Sequence, residues 1–232
     1  MTNKQRQLDW SSIGQHLDAD GYAVVDLLSP QQCAASVAAF DQDSLFRKHV
    51  VMQEQGYGQG EYKYFAYPLP EAIAQLRNDL YPGLAAIANR WNEKLAIDVR
   101  FPETHSRFLT RCHDAGQRKP TPLLLRYESG DFNCLHQDVY GEHVFPLQVA
   151  ILLSDRGNDF TGGEFLLTEE SPQMQTRAEV VPLGRGQGVI FPVRHRPQVG
   201  GEEAGRFEMR HGVSRIRTGR RHTLGIIFHD AT

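Results

Sequence analysis

Two histidines, an aspartate and an arginine in the C-terminal half have the types and spacing to hold a metal ion beside a small acid. The segment Tyr127-Glu-Ser-Gly-Asp-Phe-Asn-Cys-Leu-His136-Gln-Asp138 ends on an H-x-D pair. In a strand, residues two apart share a face, so His136 and Asp138 offer an imidazole and a carboxylate to one side. A third ligand must then come from a neighbouring strand, and His211 in Met-Arg-His211-Gly-Val is the best candidate. Two His and one carboxylate on one side of a metal leave coordination positions open. That is the ligand set expected of a non-haem Fe(II) oxygenase.

Arg221 lies ten residues after His211. If the chain between them is a hairpin, its loop length decides whether they share a face. A two-residue loop at Thr218-Gly219 pairs His211 with Ile226 and sends His211 and Arg221 to opposite faces. A three-residue loop, Arg217-Thr218-Gly219, pairs His211 with Gly225. His211, Val213, Arg221 and Thr223 then share one face, and Gly219 supplies the left-handed residue such a loop wants. In that register Arg221 stands ~13 Å along the strand from the partner of His211. A planar guanidinium there can reach back to the far carboxylate of a small dicarboxylate ligated to the metal. Thr223 can bond the same carboxylate. Gln148 sits in the otherwise apolar run 147–153 and, if buried, needs a partner that cofactor or substrate could supply.

These residues resemble a known family. The H-x-D pair, the distal His with an Arg ten residues on, and the Phe160-Thr-Gly-Gly-Glu-Phe165 turn are similar to those of the 2-oxoglutarate- and Fe(II)-dependent dioxygenases. The resemblance covers roughly residues 120–230. Tyr127 and Gly130 match the Tyr-x-x-Gly that precedes H-x-D in the prolyl-4-hydroxylase branch. Residues 134–154 and 210–230 resemble a bacterial subfamily of 2-oxoglutarate–Fe(II) oxygenases that is assigned, by analogy, to oxidative demethylation of damaged nucleic acid.

The resemblance implies Fe(II) on His136, Asp138 and His211, and 2-oxoglutarate on two further positions with its distal carboxylate on Arg221. It also implies that Tyr127 lines the 2-oxoglutarate site, that O2 is the oxidant and that ascorbate is a candidate reductant. The reaction it implies couples conversion of 2-oxoglutarate to succinate and CO2 with hydroxylation of a substrate. At an N-methyl group that hydroxylation ends in demethylation. The stretch 191–211 is longer than the branch pattern and carries His195, a rival distal ligand. His211 is preferred because Val213, Gly219 and Arg221 follow it at the expected spacing. The insertion 194–205 is then a loop at the site mouth. Two other readings stand beside nucleic-acid repair: a hydroxylase of a protein or amino-acid side chain, and a non-catalytic jelly roll that binds a metal or small acid.

The elements that must position these residues are mostly strands. β-type runs occur at about 122–127, 132–139, 145–153, 163–168, 178–182, 187–192, 206–216 and 221–228, separated by Gly- and Asp-rich turns. Many short strands at roughly ten-residue spacing indicate a sandwich or barrel. The first hundred residues have helix-like spacing. Ser29-Pro30 opens one helix, and Pro70-Glu71 opens another that Pro82 should kink or divide. One short strand, at about 21–25, interrupts this part. The expected architecture is therefore α+β: a double-stranded β-helix (jelly roll, cupin-like) core over 101–232 with a helical N-terminal third, in one domain spanning 1–232.

The 232 residues carry 25 basic and 28 acidic side chains, a net charge of −3, so no global field demands a polyanionic partner. The three cysteines argue for a reducing, cytoplasmic setting. No apolar run approaches the roughly 20 residues of a membrane span, and no secretory signal is expected. Charge is nevertheless uneven. From Arg185 to Arg221 there are nine Arg and no Lys, a segment that could contact nucleic-acid phosphates or simply be a solvated face. The Gly- and Tyr-rich stretch 56–67 reads equally as a substrate lid or a packed surface loop.

Overall fold

The computed structural model describes residues 8–171, 174–198 and 205–232. In chain order the first elements are α1 (Trp10–Ala19), β1 (Ala23–Asp26), α2 (Pro30–Ala39), β2 (Phe46–Val51), α3 (Met52–Gln55), β3 (Gly58–Gln59), β4 (Glu61–Phe65), α4 (Glu71–Lys94) and α5 (His105–Asp114). The strands that follow are β5 (Leu123–Tyr127), β6 (Phe132–His136), β7 (Leu147–Leu152), β8 (Phe160–Gly162), β9 (Phe165–Ser171), β10 (Met174–Val181), β11 (Gln187–Pro192), β12 (His195–Pro197), β13 (Arg206–Val213), β14 (Ile216–Gly219) and β15 (Arg221–Ile226).

The larger sheet has the order β1-β11-β7-β15-β5-β4-β2, and the smaller has β10-β9-β13-β6-β3 with β12 beside β13. All the pairings between these strands are antiparallel. The chain crosses repeatedly between the sheets, which makes the β5–β15 region a double-stranded β-helix, as the spacing of the runs predicts.

Alternation along each strand sorts its residues between two cores. Leu147, Val149 and Ile151 of β7, with Leu224 and Ile226 of β15, join the helical residues Leu80, Tyr81, Leu84 and Trp91 in one core. The opposite parity faces the space between the sheets, where Tyr127, Leu152, Phe165, Val189 and Val213 form a second core. Gln148 shares the parity of Leu152, and Arg221 and Thr223 have the opposite parity to Leu224, so all three point inward.

The two helices expected at Ser29-Pro30 and Pro70-Glu71 begin there, as α2 and α4. Ser29 caps α2 through a reciprocal pair with Gln32, and Pro30 follows it. Pro82, expected to kink or divide the helix, does not divide it: α4 runs on for 24 residues with the proline inside it. An interior proline costs about 3 kcal/mol or more. Burial of ten α4 residues, among them Ile73, Leu80, Leu84 and Trp91, offsets it, at roughly 1.5–3 kcal/mol for each large apolar side chain. Gly83 lets α1 seat on α4, since a Cβ there would fall 2.2 Å from the Trp10 ring.

The N-terminal third is less purely helical than expected. Strands β2 and β4 extend the larger sheet beyond β5, and β3 pairs with β6 in the smaller one. The Gly- and Tyr-rich stretch is thus hydrogen-bonded into both sheets instead of forming a separate lid or loop. Helix α5 is also unforeseen, because its inward side is only His105, Phe108 and Cys112. A buried ion pair, Arg77–Asp230 at 3.0 Å, ties α4 to the segment after β15, and Tyr67 and His113 also bond Asp230.

Candidate active site

Strands β6 and β13 are hydrogen-bonded neighbours, and their register places His211 opposite His136. Asp138 lies just past the end of β6. Its Oδ1 is 3.6 Å from His136 Nε2, and its Oδ2 is 3.3 Å from His211 Nε2. One ligand atom from each of the three residues lies within 4.8 Å of the others; among the described residues this is the one such cluster. His195 stands elsewhere, on β12 opposite Glu208.

The His136 Nδ1–H donates to the Cys134 carbonyl at 2.8 Å, which leaves the Nε2 lone pair facing Asp138 and His211. Burial lowers the His136 pKa, as does the neighbouring His211, against the opposing pull of Asp138. Burial alone would raise Asp138. The hydrogen bond and charge of His211, the charge of His136 and the Tyr140 hydroxyl outweigh it and hold the carboxyl well below its usual range. Two imidazoles and one ionised carboxylate converging on a point fit a divalent cation with open positions.

The hairpin expected between His211 and Arg221 is not there. β13 and β15 belong to different sheets, and the chain between them forms β14, which pairs with β8. His211 therefore does not pair with Gly225. Both residues still line one cavity, because the two sheets face each other across it. Arg221 instead pairs with Tyr127 on β5, and Thr223 pairs with Leu125 and Leu152.

Arg221 is 1% exposed. Its Nη1 donates to Thr223 Oγ1 at 2.5 Å, while its Nε has no partner among the described residues. No carboxylate among the described residues pairs with it. Burial lowers its pKa to about 10, so it stays a cation at neutral pH. The aromatic faces of Tyr127 and Phe160 lie 5.6 and 5.9 Å from the guanidinium carbon. Gly163, at φ +61°, makes room: a Cβ would stand 3.0 Å from Arg221 Cδ and 2.3 Å from Ile216 Cδ1. Tyr127 is fully buried, its hydroxyl accepts from Asn133 Nδ2 at 3.4 Å, and burial pushes its pKa to about 12.

A cavity of about 190 Å³ joins these groups, with His136, Asp138, His211, Arg221, Thr223 and Gln148 on its walls. Tyr127 lines it as well. Sequence reasoning missed Tyr140, whose hydroxyl donates to Asp138 Oδ1 at 2.7 Å and accepts from Tyr64 at 3.2 Å. The signal was available, since Tyr140 follows Asp138 by two residues. Gln117, fully buried, holds the segment that carries Tyr140: it bonds the carbonyls of Tyr140 and His143 and the amide of His143. Tyr57, Tyr62 and Tyr64 from the Gly- and Tyr-rich stretch complete an aromatic wall.

The arginine-rich segment does not form one stripe. Arg196 and Arg221 are buried, and Arg196 pairs with Glu169 at 2.6 Å. Arg210 pairs with Glu208, Arg220 pairs with Glu128, and Arg215 donates to the Gly130 carbonyl. Arg185, Arg194, Arg206 and Arg217 are exposed, with Arg194 and Arg206 both near His195. Residues 199–204 of the expected mouth loop lie outside the described residues.

Comparison with known proteins agrees with this geometry. Residues 60–231 match a family described as "Oxygenase, catalysing oxidative methylation of damaged DNA". An uncharacterised protein of Mycobacterium tuberculosis (strain H37Rv) is 46% identical over 167 residues, 72% of each chain. The fold is similar to that of a Pseudomonas putida prolyl-4-hydroxylase, with TM-score 0.55 and 15% identity over 93% of this chain and 96% of that one. It is also similar to a 2OG-Fe(II) oxygenase family oxidoreductase of Burkholderia pseudomallei, with TM-score 0.51 and 15% identity over 99% and 96%. The chain therefore belongs to the oxygenase family described as acting oxidatively on damaged DNA, and its fold is similar to that of a 2OG-Fe(II) oxygenase.

Proposed function

We propose that the whole chain acts as one oxygenase domain that oxidises an N-methylated base of damaged nucleic acid. In this reading His136, Asp138 and His211 hold Fe(II), and Arg221 with Thr223 holds the distal carboxylate of 2-oxoglutarate. One observation carries the cosubstrate assignment: a fully buried guanidinium without a carboxylate partner among the described residues opens on the same cavity as the His-Asp-His cluster. A buried charge is costly until it is paired, and a dicarboxylate reaching from the metal pairs it.

Fe(II) and 2-oxoglutarate, once bound, supply oxidising power drawn from O2, with ascorbate keeping the metal reduced. The residues of the chain do the rest. Tyr140 holds the orientation of Asp138 through its hydrogen bond. Tyr127 and Phe160 wall the guanidinium. Phe165 and Phe191 pack on the His211 ring and keep water from that side. Tyr57, 47% exposed on the cavity wall, offers a face on which a base can stack. Hydroxylation of an N-methyl carbon gives a hemiaminal that releases formaldehyde and leaves the base demethylated. A cytoplasmic setting fits the three free cysteines, one of them exposed. No helix among the described residues is long and apolar enough to cross a membrane.

The test is turnover of 2-oxoglutarate by the iron-loaded protein with single-stranded oligonucleotides carrying N-methylated bases. Succinate and formaldehyde should appear in equal amounts. Succinate unchanged by the oligonucleotide but stimulated by a proline-containing peptide would move the substrate to a protein side chain. That second reading draws on the Tyr127-x-x-Gly130 pattern.

A further inference from the structure

We infer that Gln148 is a specificity residue: its side-chain amide hydrogen-bonds the edge of the base being oxidised. This rests on the iron and 2-oxoglutarate assignments proposed above.

The sequence around Gln148 is apolar, and the described residues give its amide no hydrogen bond. Gln148 is 3% exposed, and its buried Nε2 has no protein partner among the described residues. A buried amide that the protein leaves unpaired is costly, because folding has removed water from it without supplying a replacement. A methionine or leucine would fill the same space without that cost. The polar group is therefore unexplained by packing, and it lines the cavity that holds the metal ligands.

The strand register places it at one end of that cavity. Thr223 is opposite Leu152, and Gly225 is opposite Ala150. Gln148 lies two residues further along β7, facing inward like Ala150 and Leu152. Arg221 lies two residues from Thr223 in the other direction. Six residue steps, or ~20 Å, separate Gln148 from Arg221 along the sheet. The metal ligands face the Gln148 end from the other sheet. Phe191, the cross-strand partner of Gln148, has its ring centroid 4.8 Å from that of His211. A dicarboxylate with one end on Arg221 and the other on the metal occupies the Arg221 side. Gln148 then faces the opposite side, where the substrate must bring its reacting carbon.

The chemistry of the group fits a base. A primary amide presents two N–H donors and a carbonyl acceptor in one plane. The edge of a nucleobase presents acceptors and donors side by side in the same way. Against such a partner the loss of one buried hydrogen bond discriminates strongly, because the group left behind stays unpaired.

Gln148→Met and Gln148→Glu test the inference with three measurements. Removing the unpaired amide in Gln148→Met should raise the melting temperature by roughly 2–4 °C. The Kd for 2-oxoglutarate, titrated into the Co(II)-substituted protein, should stay within about twofold of wild type in both variants. The KM for a methylated oligonucleotide should rise about tenfold in Gln148→Met, with Gln148→Glu shifting the preference among methylated bases. A lower melting temperature in Gln148→Met would show a structural role and overturn the inference. A 2-oxoglutarate Kd raised about fivefold or more would move Gln148 to the cosubstrate, and an unchanged KM would also overturn it. Wild-type protein inert toward the oligonucleotide would instead overturn the nucleobase reading itself, an outcome distinct from any failure of Gln148.

Discussion

His136 and His211 are directly opposed partners on the β6–β13 ladder, with ring centroids 4.2 Å apart, and Asp138 places one oxygen near the Nε2 of each. A cross-strand pair on neighbouring strands is held by backbone hydrogen bonds. Two of the three donors are therefore fixed before any metal arrives, and pre-organisation of this kind sets metal affinity.

Asp138→Ala should abolish tight iron binding, because it removes the only anionic donor. His211→Ala should do the same, and His195→Ala should leave iron content intact. Metal analysis after desalting checks all three. Iron lost from His195→Ala but kept by His211→Ala would reassign the distal ligand.

Tyr140→Phe removes one hydrogen bond to Asp138 and leaves every donor atom in place. Losing an outer-shell partner of this type weakens metal binding about 10–100-fold. Competitive titration with Co(II) reads the effect, and the Co(II) spectrum should change with it. Tyr64→Phe, one step further out, should cost less. Equal affinity in Tyr140→Phe and wild type would remove Tyr140 from this role.

Arg221→Ala should leave iron bound while the KM for 2-oxoglutarate rises at least about 30-fold, the equivalent of ~2 kcal/mol for a lost buried charge pair. Arg221→Lys should recover only part of this, since an ammonium lacks the bidentate fork. An unchanged KM in Arg221→Ala would mean that the buried guanidinium serves some other group.

Acid should destabilise the fold well above the ordinary carboxylate range. Burial holds the His105 pKa at about 3 and that of His222 at about 4, against an ordinary value of 6.5. Their folded values are depressed, so the unfolded chain binds more protons below pH 6.5. The stability these neutral imidazoles contribute is present above pH 6.5 and is lost as the pH falls toward 4. Each contributes a slope on the order of 1 kcal/mol per pH unit in that window. Urea midpoints at pH 7.5 and 5 should differ accordingly. Identical midpoints would show that these rings are not held neutral.

Much of this site is legible in the chain because strand alternation is local. His136 and Asp138 are two residues apart, and their convergence follows from that spacing even though Asp138 sits just past the strand end. The Arg221–Thr223 face follows in the same way, and the hydrogen bond between them bears it out. Non-local pairing is what the sequence hides. A hairpin joining His211 to Arg221 satisfies turn chemistry, but a jelly roll sends the two strands to different sheets. Gly219 serves that crossing: its φ is +79°, and a Cβ would fall 2.0 Å from the Asp159 carbonyl oxygen. Strands β2 and β4 escape notice because only their pairing with each other and with β5 makes them strands. Tyr140 escapes because its role depends on a hydrogen bond, which composition does not encode.

The most direct test of the central claim is an anaerobic titration of 2-oxoglutarate into the Fe(II)-loaded protein, followed by visible absorption. Bidentate binding of the 2-oxo acid to the iron produces a metal-to-ligand charge-transfer band. We predict a band that saturates at one equivalent in the wild type, requires a higher 2-oxoglutarate concentration in Arg221→Ala, and is absent in Asp138→Ala. No band in the wild type, or a band of full intensity in Asp138→Ala, would contradict the assignment of this cavity as the iron and 2-oxoglutarate site.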